Sequence, residues 1–124
     1  MGLRVYVASK WENKERVREI MYMLRAVGNQ ITYDWTTCEV SNRQQAILDL
    51  RGVADADVFV GIFEQEASYK GALVELGAAL ALGKPVYILG DASVTRDCIF
   101  LKHPHVRRGE NAFVRDLLGV GGVV

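Results

Sequence analysis

Gly71-Ala72-Leu73-Val74-Glu75-Leu76-Gly77-Ala78-Ala79-Leu80-Ala81-Leu82-Gly83-Lys84-Pro85-Val86-Tyr87-Ile88-Leu89 reads as a helix, a stop and a strand. The helical part holds one ionisable group, Glu75, among Gly, Ala, Leu and Val. A helix that is apolar all round is buried on more than one side. Gly83-Lys84-Pro85 ends it, because glycine takes the left-handed cap and the residue before a proline avoids the helical region. Val86-Tyr87-Ile88-Leu89 is a short apolar run of the kind buried in a parallel sheet. A buried helix leading into a buried strand is one unit of a βα alternation.

Working outward, the same alternation covers the chain. Leu3 to Ala8 reads as a first strand, and Ser9-Lys10-Trp11-Glu12 has the form of a capping box. Val17, Ile20, Met21, Leu24 and Val27 form the stripe of a first helix, ended by Gly28-Asn29. Gln30 to Asp34 reads as a second strand. Asn42 to Val53 reads as a second helix, with Ala46, Ile47, Leu50 and Val53 as its apolar face. Asp57 to Ile62 is a third strand and residues 63–70 a loop. Ile99-Phe100-Leu101 offers a short fifth strand, Asn111 to Leu118 a last helix, and residues 119–124 a loose tail. The pattern predicts one flavodoxin- or Rossmann-like three-layer α/β domain over residues 1–124, with a parallel sheet of about five strands. Such sheets bind ligands beyond the carboxyl ends of their strands. The loops that matter are therefore residues 9–12, 35–42, 63–71 and 90–97.

Composition narrows the partners. In 124 residues, 15 Lys and Arg balance 15 Asp and Glu, so no net field favours polymeric nucleic acid or an anionic membrane. No apolar run approaches a membrane span. Cys38 and Cys98 lie in no CxxC pattern, and the N-terminus carries no cleavable signal peptide, so a cytoplasmic protein is expected. His103-Pro104-His105 lacks a third ligand nearby, so neither metal nor cofactor is expected.

Two carboxylates sit badly for mere solubility. Glu75 lies on or beside the packing stripe of the third helix, and a buried carboxylate is costly unless paired or functional. Asp49 lies between Ala46 and Val53, next to Leu50. Each is either a carboxylate at the edge of a face, bonded to an amide or an arginine, or a functional acid. Tyr6 sits on the first strand near the mouth, as a core aromatic or a site residue. Ser68-Tyr69-Lys70-Gly71 precedes the third helix, where amides and the Ser68 hydroxyl can hold a phosphate or a sugar hydroxyl. Trp11 and Trp35 flank the mouth, to stack on a base or simply to pack. The serines lack the GxSxG elbow, and neither cysteine has a convincing local base.

Three segments together resemble the nucleoside 2-deoxyribosyltransferase superfamily, which includes nucleotide N-hydrolases. Arg4-Val5-Tyr6-Val7-Ala8-Ser9 is similar to the first strand with its active-site tyrosine. Asp49, eight residues before Asp57-Val58-Phe59-Val60, is similar to the helix aspartate before the third strand. Residues 71–86 are similar to the segment holding the nucleophilic glutamate. The resemblance implies an enzyme in which Glu75 attacks the anomeric carbon, Asp49 helps the base leave and Tyr6 holds Glu75. It places Ser68, Tyr69, Lys70 and Gly71, with Ser9 and Trp11, on the substrate. It also implies a homodimer or higher oligomer whose neighbouring subunit completes the site, with residues 93–103 the place to look. The transferases carry an acidic residue about six positions before the nucleophile. Ser68-Tyr69-Lys70 stands there instead and suits a 5'-phosphate. The expected activity is therefore cleavage of the N-glycosidic bond of a (deoxy)nucleoside 5'-monophosphate through a glycosyl-Glu75 intermediate. Base exchange by a transferase, a TIR-like NAD glycohydrolase and a non-catalytic nucleotide sensor are the alternatives. A phosphorelay receiver is disfavoured, since the first strand lacks the acidic pair that holds Mg²⁺.

Overall fold

The computed structural model describes residues 2–38 and 42–119. Five parallel strands, β1 (Arg4–Ala8), β2 (Gln30–Ile31), β3 (Val58–Ile62), β4 (Val86–Leu89) and β5 (Val106–Arg108), lie in the order 2-1-3-4-5. This is a doubly wound sheet, and its strand order reverses between β1 and β3. Helices α1 (Lys14–Ala26), α2 (Arg43–Asp55), α3 (Lys70–Ala81), α4 (Val94–Asp97) and α5 (Glu110–Phe113) complete it, with a π-helical turn over Val114–Leu118. The α2 and α3 helices pack against each other over β1, β3 and β4, while α1 meets the C-terminal helical segment. Every residue of β3 and β4 is buried, as a strand covered on both faces requires.

Register fixes what each strand shows to each layer. Val5 pairs with Val58, Tyr6 with Phe59, and Val7 with Val60. Alternation puts Tyr6 and Phe59 on one face, where their rings stack at 6.0 Å. That face carries α2 and α3.

Several expectations are corrected. The segment 99–101 is not a strand: Ile99–Lys102 is a 3-10 turn, with Ile99 and Phe100 69% and 59% exposed. The fifth strand follows at Val106–Arg108, whose two arginines are exposed at the sheet edge; an edge strand has little apolar signal to read. The Ser9–Glu12 capping box does not form. Ser9 Oγ donates to the Ile62 carbonyl at 2.8 Å, and a 3-10 turn, Trp11–Asn13, leads into α1. The tertiary partner outcompetes the local one. The second strand is two residues long, although Thr32 N still donates to Val5 O at 3.0 Å. The last residue of the predicted α1 stripe, Val27, is exposed, because the chain turns at Gly28, whose φ is +98°.

The largest surprise is α2. Asn42 caps it, accepting from Gln45 N at 2.9 Å. Three residues of its predicted apolar face point outward, since Ala46, Ile47 and Leu50 are exposed, while the fourth, Val53, is buried. The inward stripe is Gln45, Leu48, Asp49, Gly52 and Val53. On α3, Ala72, Glu75, Leu76 and Ala79 are buried, while Val74 and Leu82 are exposed, so this helix is covered on one side in the single chain and not on several. The predicted tail beyond Gly119 lies outside the described residues.

Asn29 closes the far end of the domain. Its side chain accepts from Leu3 N and donates to Leu117 O, each at 2.9 Å, and is 8% exposed. Asn29→Ala leaves the buried Leu117 carbonyl without its partner and frees the partly exposed Leu3 amide to water, at a cost of about 1–3 kcal/mol. Urea denaturation is expected to show a lower midpoint with an unchanged slope.

Candidate active site

A cavity of about 430 Å³ opens beyond the carboxyl ends of β1 and β3, where the strand order reverses. The loop after β1 supplies Ser9, Lys10 and Trp11 to it; the loop after β2 supplies Trp35 and Cys38. Gln45 and Asp49 come from α2, and Ser68, Tyr69, Lys70, Gly71, Ala72 and Glu75 from the start of α3. All six residues expected on the substrate line this cavity. Among the described residues, none of 90–97 does; Glu66 instead accepts from Ser93 N at 2.8 Å and ties that loop to the one after β3.

The floor is acidic. Glu75 is 9% exposed and points from the second turn of α3 towards β1, where Tyr6 OH donates to Glu75 Oε2 at 2.8 Å. Glu75 is also hydrogen-bonded to Asp49, which reaches across from α2. Burial pushes the Glu75 carboxyl up to about 8; the Tyr6 hydroxyl opposes the rise, and the nearby Asp49 charge adds to it. Asp49 is raised too, chiefly by burial, against the hydrogen bonds from Gln45 and Glu75. Burial, then the Glu75 charge, holds the Tyr6 phenol protonated. The two carboxyls thus titrate as a pair that retains one proton near neutrality. A pair of this kind offers an anion and an acid within one hydrogen bond, the two groups needed to attack one side of a bond and protonate the other.

Packing sets these contacts. A Cβ on Gly52 would stand 2.9 Å from both Tyr6 Cδ1 and Tyr33 Cβ, so only glycine lets α2 lie this close to the Tyr6 ring. Thr32 Oγ1 donates to Gly52 O at 2.7 Å and pins the helix there.

The rim is less committed. Ser68, Lys70 and Gly71 are exposed, and α3 has no side-chain cap, so the first amides of its opening turn are open to a ligand. Tyr69, by contrast, is 3% exposed; its hydroxyl donates to Gln65 O at 2.8 Å and its ring packs edge-on against Phe63. It closes the loop and offers the cavity only part of its surface. Ser9 is similarly engaged, since its hydroxyl also accepts from Asn13 at 3.1 Å. Trp35 is a packing residue: Nε1 donates to Val7 O at 2.7 Å. The Trp11 ring lies 4.1 Å from the Lys14 ammonium. His103 and His105 stack edge-on with centroids 4.9 Å apart, away from the cavity lining. Lys10 and Cys38 come from loops expected at the mouth, whereas Gln45 and Ala72 were not anticipated; Gln45 stands one helical turn before Asp49.

The model of the nucleoside 2-deoxyribosyltransferase family matches residues 5–107, and the chain belongs to this family of enzymes, which act on small nucleosides or nucleotides. Among solved structures, the CMP N-glycosidase of Clostridium botulinum superposes with a TM-score of 0.65 at 23% identity, over 86% of this chain and 87% of that one. A 2-deoxyribosyltransferase from Bacillus psychrosaccharolyticus gives 0.59 at 26% identity, over 72% and 73%. A conserved protein from Enterococcus faecalis V583 gives 0.56 at 17% identity, over 97% and 88%. No curated protein matches the chain significantly.

The raised Glu75 carboxyl makes stability depend on pH. It is protonated in the fold up to about 8 but only to about 4.5 when unfolded, so the stability it permits below 4.5 is lost as pH rises towards 8. Glu75→Gln removes that loss. The variant is expected to exceed the wild type by about 4 kcal/mol at pH 8, with little difference at pH 4. Thermal melts across this range check the sign.

Proposed function

We propose that the protein cleaves the N-glycosidic bond of a (deoxy)nucleoside 5'-monophosphate and releases the free base. The observation that carries this reading is the buried Glu75, bonded to both Tyr6 and Asp49, at the floor of a cavity rimmed by the uncapped start of α3. Ser68, Lys70 and the first amides of α3 receive the phosphate, since a helix N-terminus and an ammonium both favour an anion. Trp11 flanks the base, and Ser9 and Gly71 leave the entrance narrow but open; an added Cβ at Gly71 would meet nothing within 4 Å.

Before reaction, the pair's proton passes to Asp49 across its hydrogen bond with Glu75, and the Tyr6 hydroxyl steadies the carboxylate left behind. Glu75 then attacks C1' as the C1'–N bond breaks, and the bond pair leaves with the base. The Asp49 proton neutralises the departing nitrogen. The transition state is oxocarbenium-like and the product a glycosyl ester on Glu75. Water, deprotonated by the Asp49 carboxylate, attacks that ester; sugar 5-phosphate leaves and the pair regains its one proton. Resemblance in fold to a CMP N-glycosidase is in keeping with hydrolysis of a monophosphate. Likeness to a 2-deoxyribosyltransferase favours a second reading, in which an incoming base resolves the ester instead.

The same reading includes a cytoplasmic homodimer. Ile47 and Leu50 of α2 are 44% and 43% exposed, and Val74 and Leu82 of α3 are 65% and 56% exposed, on adjacent helices. Apolar side chains gathered in this way favour a covered face. Sedimentation velocity is expected to give twice the chain mass, and Val74→Lys to lower it.

The activity is tested by chromatography after incubation with nucleotides, nucleosides and NAD, with and without an acceptor base. Free base is expected from monophosphates alone, with Glu75→Ala slower by about 10³-fold or more. Products formed only with an acceptor would make it a transferase. Nicotinamide from NAD, or binding without turnover that survives Glu75→Gln, would overturn the reading.

A further inference from the structure

Asp49 is held by a partner on its own helix, and that partner is itself held. Tyr33 OH donates to Gln45 Oε1 at 3.1 Å, and Gln45 Nε2 donates to Asp49 Oδ1 at 3.0 Å. The order of these bonds matters. A carboxamide has one donor end and one acceptor end. The Tyr33 hydroxyl occupies the acceptor end, so the amide presents its NH₂ to Asp49. That group can only donate, and the oxygen facing it cannot bear a proton without losing the bond. Gln45 lines the cavity and all three residues are half-buried, so water competes weakly for these bonds.

We propose that Tyr33 and Gln45 are positioning residues that confine the Asp49 proton to Oδ2, the oxygen not engaged by the amide. The proposal rests on Asp49 as the proton donor to the leaving base. Without the pair, Asp49 protonates on either oxygen, and its proton is divided between two directions. The amide bond also favours the Asp49 anion, which keeps the donor acidic in a setting whose burial works the other way. Tyr6 from β1 and Glu75 from α3 complete the hydrogen-bonded chain, and Lys10, Cys38 and Lys70 share the cavity. The substitutions below leave all of these in place.

The experiment follows the Asp49 carboxyl directly. The full chain is labelled with ¹³C at aspartate carboxyls, the Asp49 signal is assigned by its absence in Asp49→Asn, and pH titrations compare wild type, Gln45→Leu and Tyr33→Phe. The expected result is a rise in the Asp49 midpoint of about one pH unit in Gln45→Leu, and a smaller rise in Tyr33→Phe, where the amide is free to turn over. In base release, the alkaline limb of the kcat profile, where the donor loses its proton, moves up by the same amount while KM stays unchanged. An unmoved Asp49 midpoint in both variants overturns the proposal. So does a raised KM with an unmoved pH profile, which would make Gln45 a substrate contact. If Gln45→Leu fails to fold, Tyr33→Phe carries the test, since it removes one hydroxyl. A midpoint that shifts while the alkaline limb does not supports the positioning pair and overturns Asp49 as the donor.

Discussion

The hydrogen bond from Tyr6 to Glu75 is the constraint around which the domain is arranged. A carboxyl taken out of water costs several kcal/mol unless it is neutral or bonded. Here both remedies are used: the site keeps a proton, and a phenol that stays protonated faces one oxygen. Each remedy demands a particular neighbour. Tyr6 must sit on the α3 side of β1, which its pairing with Phe59 secures. The α2 helix must approach closely enough for Asp49 to reach Glu75, which Gly52 allows and Thr32 holds. Three elements distant in sequence thus meet at one acidic pair.

The elements that were legible in the sequence are the fully buried strands and the helices with a long apolar run or stripe. Residues 71–89 announced α3 and β4 because apolar residues and a Gly-Lys-Pro stop leave no other arrangement. Likewise, β1, β3 and the α1 stripe as far as Leu24 read correctly. Where burial is partial, the signal faded. The β5 strand has one neighbour and two exposed arginines, so its apolar content is low, whereas 99–101 looked strand-like and is a turn with two side chains in water. Ser9 and Glu12 obeyed a local rule that a carbonyl 53 residues away overrode.

The site was legible in its carboxylates and not in their supports. Glu75 stood out because its surroundings are apolar. Asp49 was visible beside an apolar stripe, yet most of that stripe, Ala46, Ile47 and Leu50, faces away from the core, and Asp49 belongs with Val53 to the inward, mixed face. Gln45 carries no such contrast: a glutamine in the first turns of a helix resembles any solvated polar residue until the fold brings Tyr33 beside it. Gly52 is quiet for a similar reason, since its importance lies in the ring it admits.

The alternation of β1 has an outcome beyond packing. A slip of one residue in its pairing with β3 would turn Tyr6 to the α1 side and bring Val5 and Val7 under Glu75. The carboxyl would then face methyl groups, with no phenol to answer its charge. A misregistered chain would therefore be penalised at the acidic pair as well as in the apolar layers. The chemistry of the pocket proofreads the threading of the strand, so a molecule competent at its floor is by that fact one whose sheet has assembled in register.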